Sequence, residues 1–366
     1  MAACPLRNWA EPGDPPETAA VALSGGRDSL LALAMLREAG WRVIGLHGRF
    51  HQEEPGTADG LRRLCGDLRV ELRVVDLRQA FHERIVAPFI REYLNGRTPN
   101  PCCRCNRSVK FGLLLDEARA LGADRLATGH YARMAEGPHG RPLLARGADP
   151  SREQSYFLSL VDPSSLPRVL FPLGELCKAE VDGMLAERRL APVVQRESRE
   201  VCFVPGDDYK AFLASRADEL PGPGPIRLAD GREVGRHRGL WRHTIGQRRG
   251  LGVAWSEPLY VLEKRVLDNV LIVGPKADLA CSGFTAREPV YHLDPAFWPD
   301  ELWVQGRYRQ RANQARVHVE ENGFSVSLLT PRSPPAPGQI AAVYDEAGLV
   351  LAGGVVDELA LAGTAG

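Results

Sequence analysis

The chain has 366 residues, of which 44% are hydrophobic and 25% charged, and its formal net charge is zero. This length allows two or three domains with ample core, and zero net charge excludes an overall basic field, so any nucleic-acid surface has to be local. The eight cysteines do not indicate a secreted disulfide framework, because the chain is long and its first residues, MAACPLRNWAEPGDPPET, lack the apolar core of a signal peptide. No run approaches the ~18 apolar residues of a membrane span. We therefore expect a cytoplasmic protein with no membrane segment.

Short apolar runs alternate with helix-like segments up to about residue 205. The runs predict strands at 19–23, 41–46, 70–77 and 125–128, and the segments predict helices at 29–39, 81–94, 110–121 and 178–189. This alternation is typical of a Rossmann-like, doubly wound parallel sheet of the α/β class. The proline-rich residues 1–17 that precede it are predicted to form a flexible tail, and the α/β domain is predicted to span 18–205.

The pattern changes after Pro205. PGPGP at 221–225 is followed by short β-like runs such as LYVLEKRV and NVLIVG, and from about Cys281 by LWVQGRYR, ARVHVE and FSVSLLT. Short strands in close succession predict an antiparallel barrel or sandwich. We expect a small central domain at 206–278 and a C-terminal antiparallel β-barrel or sandwich domain at 279–366.

The sequence SGGRDS, residues 24–29, joins the first predicted strand to the first predicted helix. A glycine-rich turn at this place exposes backbone N–H groups at a helix N-terminus, where they bind anions such as phosphate. The motif lacks the Gly-Lys-Ser/Thr of a Walker loop and the G-x-G-x-x-G of a dinucleotide fold. It resembles the pyrophosphate loop of the ATP-pyrophosphatase superfamily, whose members cleave ATP between the α and β phosphates and adenylate a substrate.

The second motif is GRTPNPCCRCNRSVKF, residues 96–111, with three cysteines in four positions. Two prolines precede a helix-like run, so these thiols are expected near a helix start, which favours the thiolate form. Such thiols act as nucleophiles or metal ligands. A structural zinc site would need a second cysteine pair with the same spacing, and the remaining cysteines are singletons.

Several further segments match a known enzyme family in the same order as in its members. They are ATGHYAR, SREQSYFLSL, LFPLGEL, SREVCFVPG, HRGLWRHTIGQRRGLG and RYRQ. From about residue 19 to its end, the chain resembles the bacterial tRNA-specific 2-thiouridylases. The resemblance implies a pyrophosphate-loop α/β domain, a small central domain and a C-terminal β-barrel. It also implies an enzyme that uses ATP to activate the 2-carbonyl oxygen of the wobble uridine and replaces that oxygen with sulfur from a protein persulfide.

The resemblance also implies roles for individual residues. The ATP site would comprise Ala22, Leu23, Ser24, Gly25, Gly26, Arg27, Asp28, Ser29, Gly48 and Gly129. The catalytic pair would be Cys105, the nucleophile, and Cys202, which receives the persulfide. The target base would contact Asn100, Pro101 and Cys102, and the tRNA would contact His130, Arg152, Glu153, Gln154, Arg307, Tyr308 and Gln339. A hydrogen-bonded histidine without tRNA contact is an equally good interpretation of His130.

The implied partners are tRNA, ATP with Mg²⁺, and a persulfide donor, either a cysteine desulfurase or a sulfur-relay protein. Two mechanisms remain open. Cys102, Cys105 and Cys202 would supply three thiolates to a [4Fe–4S] cluster, leaving one iron open for sulfide. The persulfide route needs only Cys105 and Cys202, which would end as a disulfide. Many family members carry aspartate at the position of Cys102.

Three other positions depart from the family pattern, and they put ATP affinity in question. Arg27 and Leu30 stand where SGGVDSS is common, and Gly48 stands where a methionine usually packs near the nucleotide. The arginine at 27 brings a charge next to the phosphate-binding residues.

A basic segment suits phosphate contacts. Residues 227–249 contain seven arginines and two histidines against one aspartate and one glutamate. Alone, such a run would indicate a solvated face.

Two other classes of protein explain part of the sequence. An amidotransferase-coupled pyrophosphate-loop synthetase explains SGGRDS but not NPCCRCN, and a non-catalytic tRNA-binding protein leaves the paired cysteine sites without a role. Pyrophosphate release that depends on tRNA distinguishes these alternatives from the thiouridylase.

Overall fold

The structure, a computed structural model, describes residues 17–195, 201–217 and 219–362. All but the last residue of the predicted N-terminal tail lies outside these ranges. The described residues divide into two compact units. The first comprises the residues up to 84 together with 103–203 and 348–350, and the second comprises 85–102, 204–347 and the residues from 351 on. The domain boundaries given above stay a prediction.

The described helices and strands are as follows. The α-helices are α1 (Arg27–Glu38), α2 (Thr57–Asp67), α3 (Arg78–Phe81), α4 (Ala87–Leu94), α5 (Pro101–Cys105), α6 (Leu114–Ala120), α7 (Ser155–Leu158), α8 (Val181–Glu187) and α9 (Tyr209–Arg216). Two π-helical stretches, His82–Val86 and Asn106–Leu113, follow α3 and α5. Short 3₁₀-helices occur at Pro138–Gly140, Pro163–Arg168, Lys178–Glu180, Pro205–Asp207, Leu240–Arg242, Lys276–Leu279 and Pro295–Phe297. The strands are β1 (Thr18–Ala22), β2 (Arg42–Arg49), β3 (Glu71–Asp76), β4 (Arg125–Ala127), β5 (Ala132–Glu136), β6 (Pro142–Arg146), β7 (Val169–Leu170), β8 (Gly224–Leu228), β9 (Glu233–His237), β10 (Tyr260–Arg265), β11 (Val270–Gly274), β12 (Cys281–Tyr291), β13 (Leu302–Gln305), β14 (Asn313–Glu320), β15 (Gly323–Arg332), β16 (Ile340–Tyr344) and β17 (Val350–Leu361).

The first unit is built around a five-stranded parallel sheet in the order β3-β2-β1-β4-β7. The central strand β1 pairs with β2 on one side and with β4 on the other. Helix α1 is apolar around its circumference, because the run LLALAML lies entirely in the core. The predicted doubly wound α/β fold is confirmed, and the order of its strands reverses beside β1, where such sheets bind ligands.

The second unit contains two β-structures. A four-stranded sheet has the order β10-β11-β8-β9, in which β8 and β11 are parallel and the other pairs are antiparallel. Strands β12-β15-β14-β13-β16-β17 form a closed barrel, and all five residues of β16 are buried. The chain therefore ends in a barrel, which settles the alternative between barrel and sandwich. Helix α4 packs against α9 through Tyr93 stacked on Tyr209, with ring centroids 4.7 Å apart.

None of the helices in the described ranges is long and apolar enough to cross a membrane.

Candidate active site

The turn between β1 and α1 is held by its own serines. Ser29 Oγ donates to the carbonyl of Gly26 (3.0 Å) and lies 3.2 Å from the backbone nitrogen of Ser24, which donates to it. Gly25 has a φ of +85°, which glycine adopts without steric cost. Gly26 caps α1 with no side chain, so the first N–H groups of the helix are left to solvent or to an anion. The predicted loop thus leaves backbone N–H groups at the start of α1, as an anion site would need.

The loop that follows β4 packs directly against this turn at Gly129. A Cβ atom at residue 129 would lie 2.8 Å from the carbonyl carbon of Asp28 and 3.0 Å from both the Cβ of Asp28 and the nitrogen of Ser29. Only glycine allows so close an approach. Because β1 and β4 are parallel neighbours, their carboxyl ends bring these two motifs together at the reversal point of the sheet.

Asp28 is held from two sides by residues of the same unit. Lys178 Nζ donates to both carboxylate oxygens, at 2.6 and 2.8 Å, and the hydroxyl of Tyr131 donates to Oδ1 at 2.9 Å. The backbone N–H of Lys178 donates to Asp149 (2.9 Å). A hydrogen bond from the Ser151 hydroxyl, supported by that from Lys178, lowers the pKa of Asp149. The two bonds to Asp28 place the ammonium group of Lys178 next to the turn at 24–29.

The guanidinium group of Arg27 is paired with other groups of the first unit. Its Nη1 donates to both oxygens of Asp182 in α8 at 2.8 Å, and its Nη2 donates to the carbonyl of Gln195 at 3.3 Å. The departure from the family pattern at residue 27 therefore links α1 to α8.

Gly48 lies under an aromatic cluster. A Cβ atom there would lie 2.7 Å from Cε1 of Phe50, so the phenylalanine ring fills the space beside the glycine. Phe50 stacks on Phe81 with ring centroids 5.8 Å apart, and Phe81 meets Phe203 edge-on at 5.6 Å. Phe203 directly follows Cys202, so the cluster connects the end of β2 with the segment that carries this cysteine.

The cysteines differ in accessibility. Cys105 is 8% exposed and Cys202 is exposed, whereas Cys103 is fully buried with its Sγ 3.7 Å from the carbonyl oxygen of Tyr156. Pro101 opens α5, which carries Cys102, Cys103 and Cys105. None of the cysteines in the described ranges forms a disulfide. Nor do the described residues contain a group of three His, Cys, Asp or Glu side chains suited to a metal ion.

The predicted tRNA residues of the first unit are partly engaged in the scaffold. Glu153, 8% exposed, accepts hydrogen bonds from Arg146 (2.9 Å) and from the hydroxyl of Ser155 (2.6 Å). Gln154 Oε1 accepts from the backbone N–H of Tyr131 (3.0 Å). The half-buried Arg152 follows the same turn. These contacts shape the loop at 152–154.

His130 also has partners within the first unit. Its Nδ1 lies 2.8 Å from Thr128 Oγ1, and its ring packs against Phe111 and Phe171, at centroid distances of 5.9 and 6.2 Å. Desolvation in this setting, and to a lesser degree the charge of Lys110, lowers the pKa of His130 well below its ordinary value. The ring is therefore neutral near pH 7, as in the hydrogen-bonded alternative.

In the second unit, the remaining predicted residues lie on loops of the barrel and at the start of α5. Arg307 Nη2 donates to the carbonyl of Ile245 (3.1 Å), and Gln305 Nε2 donates to the carbonyl of Tyr308 (2.7 Å). Gln339 Nε2 donates to the carbonyl of Thr98 at 2.7 Å. Asn100 and Cys102 are half-buried and Pro101 is buried.

The basic segment is partly neutralised by its own acids. Glu233 lies 3.9 Å from Arg227 and 3.8 Å from Arg236, and Arg232 lies 3.6 Å from Asp230. The two arginines at 248 and 249 are exposed, and no ion pair within the described ranges involves them. Together with Arg238, which is also exposed and in no ion pair within those ranges, they are available for contacts with phosphate.

Sequence reasoning missed two side chains beside the phosphate loop. Lys178 follows the quoted LFPLGEL, but nothing local signals that it reaches Asp28. His47, 3% exposed, places Nδ1 2.7 Å from the carbonyl oxygen of Leu23 and Nε2 2.8 Å from Glu53. Its imidazole thus supports the carbonyl at the entrance to the loop.

The chain matches three family descriptions along its length. Residues 17–206 match the tRNA methyl transferase HUP domain, residues 210–275 the tRNA methyl transferase PRC-barrel domain, and residues 281–356 the aminomethyltransferase beta-barrel domain. The first match alone covers more than half of the chain.

Curated relatives cover nearly the whole chain. A tRNA-specific 2-thiouridylase MnmA of Nitratidesulfovibrio vulgaris (strain DSM 19637 / Miyazaki F) is 54% identical over 92% of this chain and 98% of its own length. The protein of the same name from Lawsonia intracellularis (strain PHE/MN1-00) is 45% identical over 92% of this chain and 98% of its own length. A solved structure, the U34-tRNA thiolase NcsA from Methanococcus maripaludis with its [4Fe–4S] cluster, is a distant likeness, with 16% identity and a TM-score of 0.36 over 55% of this chain and 65% of that chain. At these levels of identity and coverage with the curated relatives, the chain belongs to the tRNA-specific 2-thiouridylase family.

Proposed function

We propose that the chain replaces the 2-carbonyl oxygen of the wobble uridine of tRNA with sulfur, at the expense of ATP. ATP adenylates the oxygen and releases pyrophosphate, and sulfur then displaces AMP together with that oxygen. The observation that best supports this proposal is the packing of Gly129 against Asp28 and Ser29, since it joins two separate motifs of the family at one helix N-terminus.

The ATP step follows from the chemistry of the base. A uracil carbonyl carbon is a poor electrophile and its oxygen a very poor leaving group, whereas the same oxygen attached to AMP departs readily. The N–H groups of the loop at 24–29 would stabilise charge on the phosphates, and the ammonium of Lys178 stands close by. Asp28 would orient the phosphates or their magnesium ion. When bound, magnesium would neutralise charge on the departing pyrophosphate.

The sulfur step would use the two cysteines of the first unit. Cys202 is exposed, so a cysteine desulfurase or a sulfur-relay protein can transfer a persulfide sulfur to it. The terminal sulfur attacks C2 of the adenylated base, which forms the C–S bond and releases AMP. The thiolate of Cys105 then attacks Cys202 Sγ, breaks the S–S bond and leaves the sulfur on uridine. The resulting disulfide between Cys105 and Cys202 is reduced by a cellular dithiol before the next turnover.

The tRNA would be held mainly by phosphate contacts. Exposed arginines at 248 and 249 suit this role. The segment Asn100–Pro101–Cys102 would face the target base, and the remaining residues of the implied set would contact the tRNA from the loops described above.

The decisive experiment supplies the purified chain with ATP, unmodified tRNA and a persulfide donor, and measures pyrophosphate release and the mass of the tRNA nucleosides. We expect pyrophosphate release only with tRNA, and a uridine whose mass has increased by the difference between sulfur and oxygen. The Asp28→Ala variant should lose pyrophosphate release while it still binds tRNA. A methylated nucleoside would support instead the activity that the family descriptions name. Pyrophosphate release that is indifferent to tRNA would indicate another pyrophosphate-loop synthetase.

A further inference from the structure

The segment that precedes α5 is tied to the C-terminal barrel through one residue, Thr98. Its backbone N–H donates to the carbonyl of Pro337 at 2.7 Å, and its carbonyl accepts from Gln339 Nε2 at 2.7 Å. Its hydroxyl also donates to Thr244 Oγ1 at 3.2 Å. Both polar backbone groups of Thr98 are thus bonded to a single loop, the loop before β16.

This contact is close enough to require a glycine in the loop. Gly338 has a φ of +93°, and a Cβ atom there would lie 3.1 Å from both the nitrogen and the carbonyl carbon of Thr98 and 3.2 Å from the Cβ of Arg97. A side chain at 338 would therefore meet the backbone of the segment, which cannot rotate away. The loop that contains Gly338 and the segment that contains Thr98 therefore contact each other through their backbones.

The barrel side of the contact is rigid. The N–H of Gly338 donates to the carbonyl of Val356 (2.8 Å), and the N–H of Val356 donates to the carbonyl of Gln339 (2.8 Å), so strand β17 holds the loop from both directions. The next residue of β17, Asp357, pairs with Arg97 at 2.5 Å. The anchor therefore combines backbone hydrogen bonds with an ion pair to one strand of a closed barrel.

We propose that the C-terminal barrel positions the base-facing segment 100–102, and that Gln339 contributes to this by holding the carbonyl of Thr98. This inference rests on the proposed function. Thr98 lies two residues before Asn100, and the prolines at 99 and 101 restrict the backbone between them. An anchor at residue 98 therefore sets the path of the chain through the segment. Gln339 is a positioning residue in this arrangement.

Two variants separate positioning from tRNA contact. Gln339→Met removes the amide donor at similar length, and Gly338→Ala disturbs the same contact without removing any side-chain group that could touch tRNA. Gly122→Ala is the matched control, since Gly122 also has a positive φ (+76°) but a Cβ there would meet nothing within 4 Å. For each variant we would measure the Kd for tRNA, the single-turnover rate of thiolation, and hydrogen–deuterium exchange in peptides that cover 96–102.

We expect both variants to exchange faster in these peptides and to thiolate roughly 10- to 100-fold more slowly in a single turnover, and we expect the Kd of the Gly338→Ala variant for tRNA to be unchanged. The control should match the parent in all three measurements. If the parent thiolates tRNA and the Gln339→Met variant differs from it only in weaker tRNA binding, the positioning role is overturned and the proposed function is not. A parent that thiolates no tRNA would overturn the proposed function and the positioning role with it. Unchanged exchange at 96–102 in Gly338→Ala would overturn the anchor itself.

Discussion

Replacement of Gly129 by alanine is expected to weaken ATP binding through a steric effect alone. The new methyl group would lie 2.8 to 3.0 Å from three atoms of Asp28 and Ser29. These residues begin α1, whose next two side chains, Leu30 and Leu31, are 1% and 0% exposed. The helix therefore cannot retreat, and the loops have to separate by a few tenths of an ångström. Overpacking of this kind costs about 1 to 3 kcal/mol, which corresponds to roughly 5- to 150-fold weaker binding if the cost falls on the ATP-bound geometry.

Isothermal titration with a non-hydrolysable ATP analogue measures this loss, and filter binding measures the affinity for tRNA. We expect the Gly129→Ala variant to retain the parental affinity for tRNA, because the arginines at 248 and 249 are unchanged. Gly66→Ala is the control, since a methyl group there, on α2, would meet nothing within 4 Å. An ATP affinity equal to that of the parent, or an equal loss in the control, would refute the assignment of the ATP site to this pair of loops.

Three other predictions test the surface, a buried charge and the cysteines. Replacement of both Arg248 and Arg249 by serine should make the fall of log affinity for tRNA with log salt less steep, by roughly 0.7 to 0.9 per lost contact. An unchanged steepness would make the segment an ordinary solvated face. Burial lowers the pKa of Lys264 to about 7. Between about pH 7 and 10 the unfolded chain therefore binds more protons at this amine than the folded chain does. The free energy of unfolding should then rise with pH by up to ~1.4 kcal/mol per pH unit. Urea titrations of Lys264→Met across that range should show a smaller rise than the parent, and equal slopes would contradict the burial of a charge-sensitive amine. Cys102→Asp should thiolate tRNA at close to the parental rate when a persulfide donor is supplied, whereas loss of thiolation together with a brown colour in the anaerobically reconstituted parent would favour the cluster.

Local sequence patterns predicted four of the five strands of the parallel sheet in the first unit. The predicted strand at 41–46 is observed as β2 (Arg42–Arg49), and the predicted helix at 29–39 as α1 (Arg27–Glu38). Short β-branched and leucine-rich runs between turn residues determine both, because burial on two faces leaves little choice of conformation. Helix α2 was not predicted, since only Thr57, Leu61 and Cys65 on it are buried and its other residues are half-buried or exposed.

The partners of the site residues could not be predicted from local patterns, because they come from distant parts of the chain. Lys178 reaches Asp28 across 150 positions, and Gln339 reaches Thr98 across 241. Such pairs form only when the sheet and the barrel place their loops, and an isolated lysine or glutamine carries no sign of its partner. The family resemblance indicated Gln339 but not its partner Thr98. A resemblance can therefore identify a residue of interest without showing what that residue contacts.

The unequal burial of the two cysteine sites agrees with the proposed persulfide route. A persulfide has to be delivered by a second protein, and Cys202 is exposed as that delivery requires. Cys105, at 8% exposed, is largely shielded from external thiols and oxidants. The proposed persulfide route needs one cysteine that a sulfur donor can reach and a second that attacks only after the sulfur has been transferred, and this difference in exposure agrees with it. The cluster would instead need the thiolates of Cys102, Cys105 and Cys202 as iron ligands, so anaerobic reconstitution of the parent with iron and sulfide distinguishes the two routes.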